Sequence, residues 1–262
     1  MIEDLDSAWM TARLREDGIR LGRPLVVVEI TESTNDDAKR AVRKGAPRGS
    51  AFVADAQTRG RGRMGRTWHS PAGENLYASF VIVPSLEPST APLVTLAAGV
   101  AVRDALAPLV PARDVTLKWP NDVLIDGRKV AGILTEAQLG SSAPSWIVVG
   151  VGINVRTATF PEELALRATS LRLAGATLLD RASLFIAVAR ELAWRSEALA
   201  DGYVDTLIAD FRARDALRGS PVTVDGVRGV ALGVERDGAL RVQHEDGTER
   251  LHFAGEVLLQ KA

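Results

Sequence analysis

The sequence predicts an α+β protein, with a mixed β-sheet packed by helices and a small β-barrel at the C-terminal end. Three observations carry this expectation. Apolar runs of strand length alternate with helical segments through the middle of the chain. The long apolar stretch 91–111 is interrupted by Arg103-Asp104, so it reads as a buried core helix and not a membrane span. Beyond Gly219-Ser220-Pro221, short alternating runs are punctuated by Asp225-Gly226, Asp237-Gly238 and Asp246-Gly247, the pattern of short strands joined by tight turns. The expected division is 1–218 and 219–262. A chain of 262 residues, 46% of them hydrophobic, has ample core for both units.

The elements follow in order. Residues 6–21 read as a short helix and Leu25–Ile30 as a strand. Ser33-Thr34-Asn35-Asp36-Asp37 opens a helix with acids in its first turn, cations toward its end and Gly45 as its stop. Helix capping alone is the plain reading of Ser33–Asn35. Ala51–Thr58 and Leu76–Val83 read as strands flanking a loop, and 90–110 as the long helix. Val115–Trp119 is a strand stopped by Pro120. Val123–Ile125 and Lys129–Leu139 flank Asp126-Gly127, a hairpin turn signal. Trp146–Val155 is a further strand, and helices are expected at 161–167 and 181–215.

Composition excludes several classes. A net charge of −1 gives no general field for nucleic acid or an anionic membrane. With no cysteine, disulfides and thiolate metal sites are absent. His69, His244 and His252 lack metal-ligand spacing and are expected on the surface or in loops. The acidic N-terminus carries no signal-peptide core, so a soluble cytoplasmic protein is expected.

The densest chemistry lies between the strands that flank the loop. Arg59, Arg61, Arg63 and Arg66 alternate with Gly60, Gly62 and Gly65. Glycines let a backbone fold around a ligand and offer it N–H groups, and arginines supply anion-binding forks. The spacing nearly matches two phosphate-loop fingerprints. Both require a helix to start at the loop. Here Ser70-Pro71-Ala72-Gly73 signals a turn and a strand follows, so both are rejected in favour of a ligand loop between strands. The alternative is an RNA-contacting arginine–glycine segment.

Strand alternation predicts a groove. In Trp146–Val155 one face carries Ile147, Val149, Val151, Ile153 and Val155, as a buried face prefers. The other places Gly150 and Gly152 in succession, and Gly132 lies between Val130 and Leu134 in the preceding strand. Interior strand glycines mark close approach by a ligand or by backbone. The expectation is a slot for a flat or slender ligand. Lysine is confined to Lys39, Lys44, Lys118, Lys129 and Lys261, the other cations being arginine. Lys118 shares a strand face with Thr116, opposite Val115, Leu117 and Trp119. It reads as a point charge for phosphate, with a Schiff-base nucleophile and a snorkelling edge lysine as alternatives.

Ser33-Thr34-Asn35, then Gln57 and Gly60-Arg61-Gly62-Arg63-Met64-Gly65-Arg66-Thr67-Trp68, then Lys118-Trp119-Pro120-Asn121-Asp122, then Lys129 through Glu136, then Gly150 through Val155 together resemble the biotin–protein ligases. The resemblance covers roughly 26–260 in order and spacing. It implies a catalytic domain like that of class II aminoacyl-tRNA synthetases and an SH3-like C-terminal barrel. It implies that biotin attacks the α-phosphate of MgATP to give biotinoyl-AMP and pyrophosphate. A lysine of a biotin carboxyl carrier domain then takes the acyl group. The implied catalytic residues are Lys118 and Arg63. Biotin would meet Ser33, Thr34, Asn35, Gln57, Gly60, Arg61, Gly62, Arg63, Lys118 and Gly132. The nucleotide would meet Arg61, Arg63, Arg66, Trp68, Asn121 and Asn154. ATP, biotin and Mg²⁺ are the expected small partners, with metal ligands unassigned, and the protein is expected to be a monomer or weak homodimer.

Two loop positions depart from the family pattern: Met64 stands where a third arginine is common, and Arg59 where a small residue is. About 25 residues precede the first strand, too few for the helix-turn-helix of bifunctional members, so no DNA binding is expected. Lipoate or octanoate attachment is the neighbouring enzyme reading, but a linear apolar tail needs no Ser-Thr-Asn/Gln cluster. A nucleic-acid-binding module is the reading from another class. The acidic balance of 219–262, where Lys261 and four arginines face seven carboxylates, opposes it.

Overall fold

The computed structural model describes residues 4–82, 91–139 and 144–259. The expected ends at Val83 and residue 90, and Lys261, lie outside the described residues. Helix α1 spans Ser7–Glu16, with Asp6 accepting from Ala8 and Trp9 N–H groups as its N-cap. It stops well before residue 21 because Gly18 turns the chain at φ 69°. Strand β1 (Leu25–Thr31), α2 (Thr34–Arg43), β2 (Ala51–Gln57), β3 (Leu76–Ile82) and α3 (Ala91–Leu106) follow. Then come β4 (Val115–Lys118), β5 (Asp122–Ile125), β6 (Arg128–Leu139) and β7 (Pro144–Ile153). Asp126 and Gly127 both take positive φ, 48° and 76°, the conformation of a two-residue hairpin turn between β5 and β6.

These seven strands form one sheet in the order β1-β2-β3-β7-β6-β5-β4. Only β1 and β2 run parallel; every other pair is antiparallel, so the sheet is mixed as expected. Helices α4 (Glu162–Ala165), α5 (Arg181–Ala200) and α6 (Val204–Arg212) complete the helical set. The expected helical stretch 181–215 consists of two helices. Gly202, at φ 88°, breaks it after Ala200.

The sheet's two faces differ from the start. Phe80, Ile133, Ile147, Val149, Val151 and Ile153 point to one side and join buried residues of α3 and α5 in a single core, where Phe80 stacks on Phe185 at 5.3 Å. The apolar run in α3 is therefore core material, with Leu96, Ala97, Val100 and Ala101 each 2% exposed or less. On the other face, α2 covers only one corner, packing Ala38 against Val81, Trp146 and Val148.

The C-terminal unit holds β8 (Pro221–Val224), β9 (Val227–Val234), β10 (Leu240–His244), β11 (Glu249–His252) and β12 (Val257–Leu259). They make an antiparallel sheet ordered β11-β10-β9-β8-β12. Its apolar residues continue the main core through Leu217, Val222 and Val224. The Trp119 indole N–H donates to the Gly238 carbonyl at 2.9 Å and fastens the unit to the end of β4. The histidines correct one expectation. His69 is exposed, but His244 is buried on β10 because it shares the inward face of Leu240 and Val242. Its Nδ1 donates to the Arg228 carbonyl at 3.0 Å, and its Nε2 lies 3.2 Å from that of His252 on β11.

Candidate active site

On the open face, the first turn of α2 meets β2 and β3 in a chain of polar contacts. The Thr34 N–H donates to Gln57 Oε1 at 2.9 Å, and the Thr34 hydroxyl lies 3.3 Å from the same oxygen. Ser79 Oγ bridges Thr34 Oγ1 at 2.8 Å and Asn35 Oδ1 at 2.6 Å. The Asn35 amide donates to the Leu134 carbonyl and to Glu136 Oε2. Ser33, Thr34 and Asn35 are all buried. Ser33 occupies the N-cap position but its side chain makes no capping hydrogen bond. Its side chain is therefore buried without acting as a helix cap.

Gln57 passes this order to the arginine loop. Its Nε2 donates to Ser70 Oγ at 3.0 Å, and Ser70 Oγ donates to the Trp68 carbonyl at 2.9 Å. Gly60 sits at that junction. A Cβ there would lie 2.5 Å from Ser70 Oγ and 2.6 Å from the Trp68 carbonyl, so only glycine fits. The loop folds on itself through Gly62 N–H to Arg66 O and Trp68 N–H to Gly60 O. Its tip is a 3₁₀ turn, Arg63–Gly65, with Met64 in the left-handed region at φ 56°.

The four loop arginines go to four different places. Arg59 pairs with Glu32. Arg61 spans Asp36 and Glu136, 2.8 Å from each, tying the loop to α2 and β6. Arg66 crosses to Glu256 of the C-terminal unit at 2.5 Å. Arg63 donates to Asn121 Oδ1 at 3.2 Å and, among the described residues, is the loop arginine with no carboxylate partner. Burial lowers its pKa, the charge of Asp122 works the other way, and Arg66 adds to the lowering.

The glycine track is real, but it is not an open slot. A Cβ on Gly150 would lie 2.2 Å from Asn35 Oδ1. One on Gly152 would lie 2.6 Å from the Trp68 ring, and one on Gly132 would lie 3.1 Å from both Trp68 and Lys129. The first glycine therefore admits Asn35, and the other two admit the indole of Trp68. The Trp68 Nε1 is buried and has no partner among the described residues. Sequence reasoning treated the glycines as space for a ligand and did not foresee that the loop's own aromatic lies there.

Two lysines close the far end. Lys118 faces Asp122 across the β4–β5 pair. Burial lowers its pKa, Asp122 offsets this, and the neighbouring charge of Lys129 adds to it. Lys129 binds Asp122 at 2.6 Å and lies 5.3 Å over the Trp68 ring. Lys129, Asp122, Glu136, Asp36 and Ser79 were all missed as site residues. The scarcity that singled out Lys118 applies equally to Lys129, three residues before Gly132, and was the signal available. Of the residues expected on the nucleotide side, Asn121 joins Arg63 and donates to the Ile133 carbonyl at 2.7 Å. Asn154 is buried, with its amide donating to the Thr169 carbonyl at 3.0 Å. No cluster of three potential metal ligands occurs among the described residues.

The profile of the Biotin/lipoate A/B protein ligase family matches residues 27–154. The biotin–[acetyl-CoA-carboxylase] ligase of Mycobacterium tuberculosis is 39% identical, over 83% of this chain and 82% of that protein. The bifunctional ligase/repressor BirA of Bacillus subtilis is 33% identical, over 89% of this chain and 74% of its own length. Among solved structures, the biotin protein ligase from Aquifex aeolicus in complex with biotin and ATP superposes with a TM-score of 0.75. It is 29% identical and aligns over 90% of this chain and 98% of that one.

Proposed function

We propose a reaction and a role for each site residue, proceeding from the premise that this chain belongs to the biotin–protein ligase family. It activates biotin as biotinoyl-AMP and transfers the acyl group to a carrier protein. One observation carries the assignment of residues. A fixed polar cluster at the start of α2 leads, along a track cleared of side chains, to two lysines and an uncommitted arginine. A ligand with a polar head, a slender middle and an acidic end fits that sequence of environments.

The head group is held by Ser33, Thr34 and Gln57, with Asn35 and Ser79 fixing their positions. Gly60 and Gly62 let the loop backbone approach it. The valeryl chain runs beside Gly132 and Gly152, so Trp68 shifts over it as the loop closes. The biotin carboxylate oxygen attacks the α-phosphorus of MgATP, and the bond to pyrophosphate breaks. Negative charge gathers where Lys118, Lys129 and Arg63 converge, and preorganised cations in a desolvated site stabilise it. Arg61 and Arg66 anchor the loop that covers the nucleotide, Asn121 orients Arg63, and Asn154 supports the nucleotide side. Mg²⁺, if brought with the ATP phosphates, would neutralise part of their charge. Such an ion commonly uses only one or two protein carboxylates, and Asp122, the carboxylate set between the lysines, would hold it.

We further propose that the acceptor is a biotin carboxyl carrier domain, that the enzyme works in the cytoplasm as a monomer or weak dimer, and that residues 219–262 act as a unit that assists transfer. The test is biotin-dependent exchange of pyrophosphate into ATP, with lipoate as control. Exchange with biotin alone is the expected result. Exchange with lipoate alone would move the protein to the neighbouring branch of the family.

A further inference from the structure

The arginine loop reaches the C-terminal unit through an ion pair, with Arg66 Nη2 2.5 Å from Glu256 Oε2. Both backbones are held independently of that contact. The Arg66 N–H donates to the Arg63 carbonyl at 3.2 Å, and the Arg66 carbonyl accepts from the Gly62 N–H at 2.7 Å. Glu256 is clamped by Asp225, the first residue of the turn between β8 and β9. The Glu256 N–H donates to Asp225 Oδ1 at 3.0 Å, and the Asp225 N–H donates to the Glu256 carbonyl at 3.2 Å. Gly255 makes this approach possible. Its φ is 137°, and a Cβ there would lie 2.6 Å from Asp225 Oδ2.

Resting on the ligase reading above, we propose that Glu256 is a positioning residue for adenylation, which aims the Arg66 guanidinium at the phosphates of ATP. Arginine carries its N–H donors in a planar fork. The ion pair uses one terminal nitrogen, and the Arg66 side chain is 57% exposed, so the rest of the fork is left for a second anion. That anion has a place. Burial lowers the pKa of both Arg63 and Lys118, the charge of Arg66 lowers each further, and Asp225 and Glu256 oppose this at Arg63 and Lys118 respectively. Arg66 thus adds its charge to the two cations assigned above to the α-phosphate.

The pair is not needed to hold the two units together. They already share the core around Leu217, Val222 and Val224 and the hydrogen bond from Trp119 to Gly238, and exposed ion pairs add little to stability. Order is what the pair contributes. A free arginine must give up rotamer freedom when it binds phosphate, and a carboxylate that has already fixed the guanidinium removes part of that cost. The carboxylate's own charge acts in the opposite sense by repelling phosphate, so the direction of change on its removal separates positioning from competition. The C-terminal unit enters the first half-reaction by this route, apart from any part it takes in transfer.

The experiment measures the KM of ATP and of biotin by pyrophosphate exchange, with calorimetric melting, in full-length Glu256→Ala, Glu256→Gln, Arg66→Ala and the Arg66→Ala/Glu256→Ala double variant. Glu256→Ala should raise the ATP KM roughly tenfold, the scale of one charge-assisted hydrogen bond, and leave the biotin KM and the melting temperature near wild type. Glu256→Gln, which keeps an acceptor oxygen at the same reach, should recover most of the loss. The double variant should bind ATP no worse than Arg66→Ala alone, because a positioning residue has no effect without the group it positions. An unchanged or lowered ATP KM in Glu256→Ala, additive losses in the double variant, or a biotin KM that rises in step would overturn the assignment. Exchange by the wild-type protein tests the ligase reading separately, since its absence would strike that reading before any variant is compared.

Discussion

The two faces of the seven-stranded sheet are made from alternate residues of the same strands, and they are built to opposite rules. In β7, Val149, Val151 and Ile153 project toward α3 and α5 into a closed apolar core. Gly150 and Gly152 project the other way and carry nothing, so Asn35 and Trp68 can come down onto the backbone. One face is filled to stabilise the fold. The other is cleared, then lined with hydroxyls, amides and ion pairs that hold one another in place. Substitutions on the two faces of one strand should therefore fail in different assays.

The largest effect is expected from the lysines at the end of the cleared face. Lys129→Ala and Lys118→Ala should each reduce adenylate formation on the order of 10²–10³-fold, the usual loss when one preorganised charge contact is removed. Both side chains are only partly buried and neither leaves an apolar cavity, so melting should change little. Pyrophosphate exchange alongside calorimetric melting checks this. Loss with Lys129→Ala alone would leave Lys118 as a supporting charge. For Lys118 the pH dependence has a definite sign. Its folded pKa is lowered by burial, so the ammonium deprotonates below the ordinary lysine pKa of 10.5. Exchange should decline on the alkaline side before free lysine titrates. The folded state also binds that proton more weakly than the unfolded chain. Stability from this group therefore rises with pH through the window below 10.5 and levels off above it.

The paired test of the faces is Gly152→Val against Val151→Ala. Gly152→Val places a branched side chain where the Trp68 ring lies within 2.6 Å of a Cβ. Biotin binding by calorimetry should be lost while a folded transition remains. Val151, 3% exposed, should show the reverse. Its truncation removes two buried methyl groups and leaves a void, costing on the order of 2 kcal/mol, with biotin affinity of the folded protein retained. If both variants unfold, the glycine face serves packing as much as its partner does.

Legibility from sequence followed the same division. The core face was readable because β-branched alternation has one physical cause, burial, and Ile147 through Val155 could be assigned to it directly. The glycines were readable as clearance, but clearance does not say what enters. The slot was expected to await a ligand, and Trp68 and Asn35 fill it in this state. Lys118 on β4 and Lys129 on β6 come to Asp122 on β5 from its two neighbouring strands, an arrangement that strand pairing creates and linear order hides. The split of helix 181–215 and the burial of His244 were missed for related reasons. A single glycine is tolerated within a helical pattern, so Gly202 gives no stop signal by itself, and β10 is too short to show which way its residues alternate.

A smaller change is expected at the loop tip. Arg63 is desolvated and held by Asn121 rather than by a carboxylate, which is what motivates its proposed role toward the acyl-phosphate. Arg63→Gly should leave part of adenylation intact but let biotinoyl-AMP escape, because enclosure protects a reactive anhydride from water and stray nucleophiles. Bystander proteins mixed with the variant, ATP and biotin should become labelled. Unlabelled bystanders with continuing adenylation would remove Arg63 from the closure of the loop.

The smallest effect should come from the ion pairs that hold the cleared face together. Asp36 receives Lys39 at 2.9 Å and Arg61 at 2.8 Å. Its partial burial acts to raise its pKa, but the hydrogen bond from Lys39 and the charges of Lys39 and Arg61 outweigh that and hold it below the ordinary 3.8. A carboxylate with a lowered folded pKa contributes stability that is fully present above its unfolded pKa and is lost as pH falls through the folded one. The contribution should therefore be constant at neutral pH and disappear only below about pH 4. Exposed pairs of this kind are worth about 0.2–1 kcal/mol, and salt screens them. Asp36→Asn should lower the melting temperature slightly at pH 7 and not at all once both proteins are acidified past the titration. Its clearer signature should be kinetic, since Arg61 keeps only Glu136 and the loop anchor loosens. A rise in the biotin KM with a near-constant melting curve would confirm that the cleared face is held by contacts that order the site while adding little to the fold. A melting loss as large as that of Val151→Ala would mean the two faces share the work of stability after all.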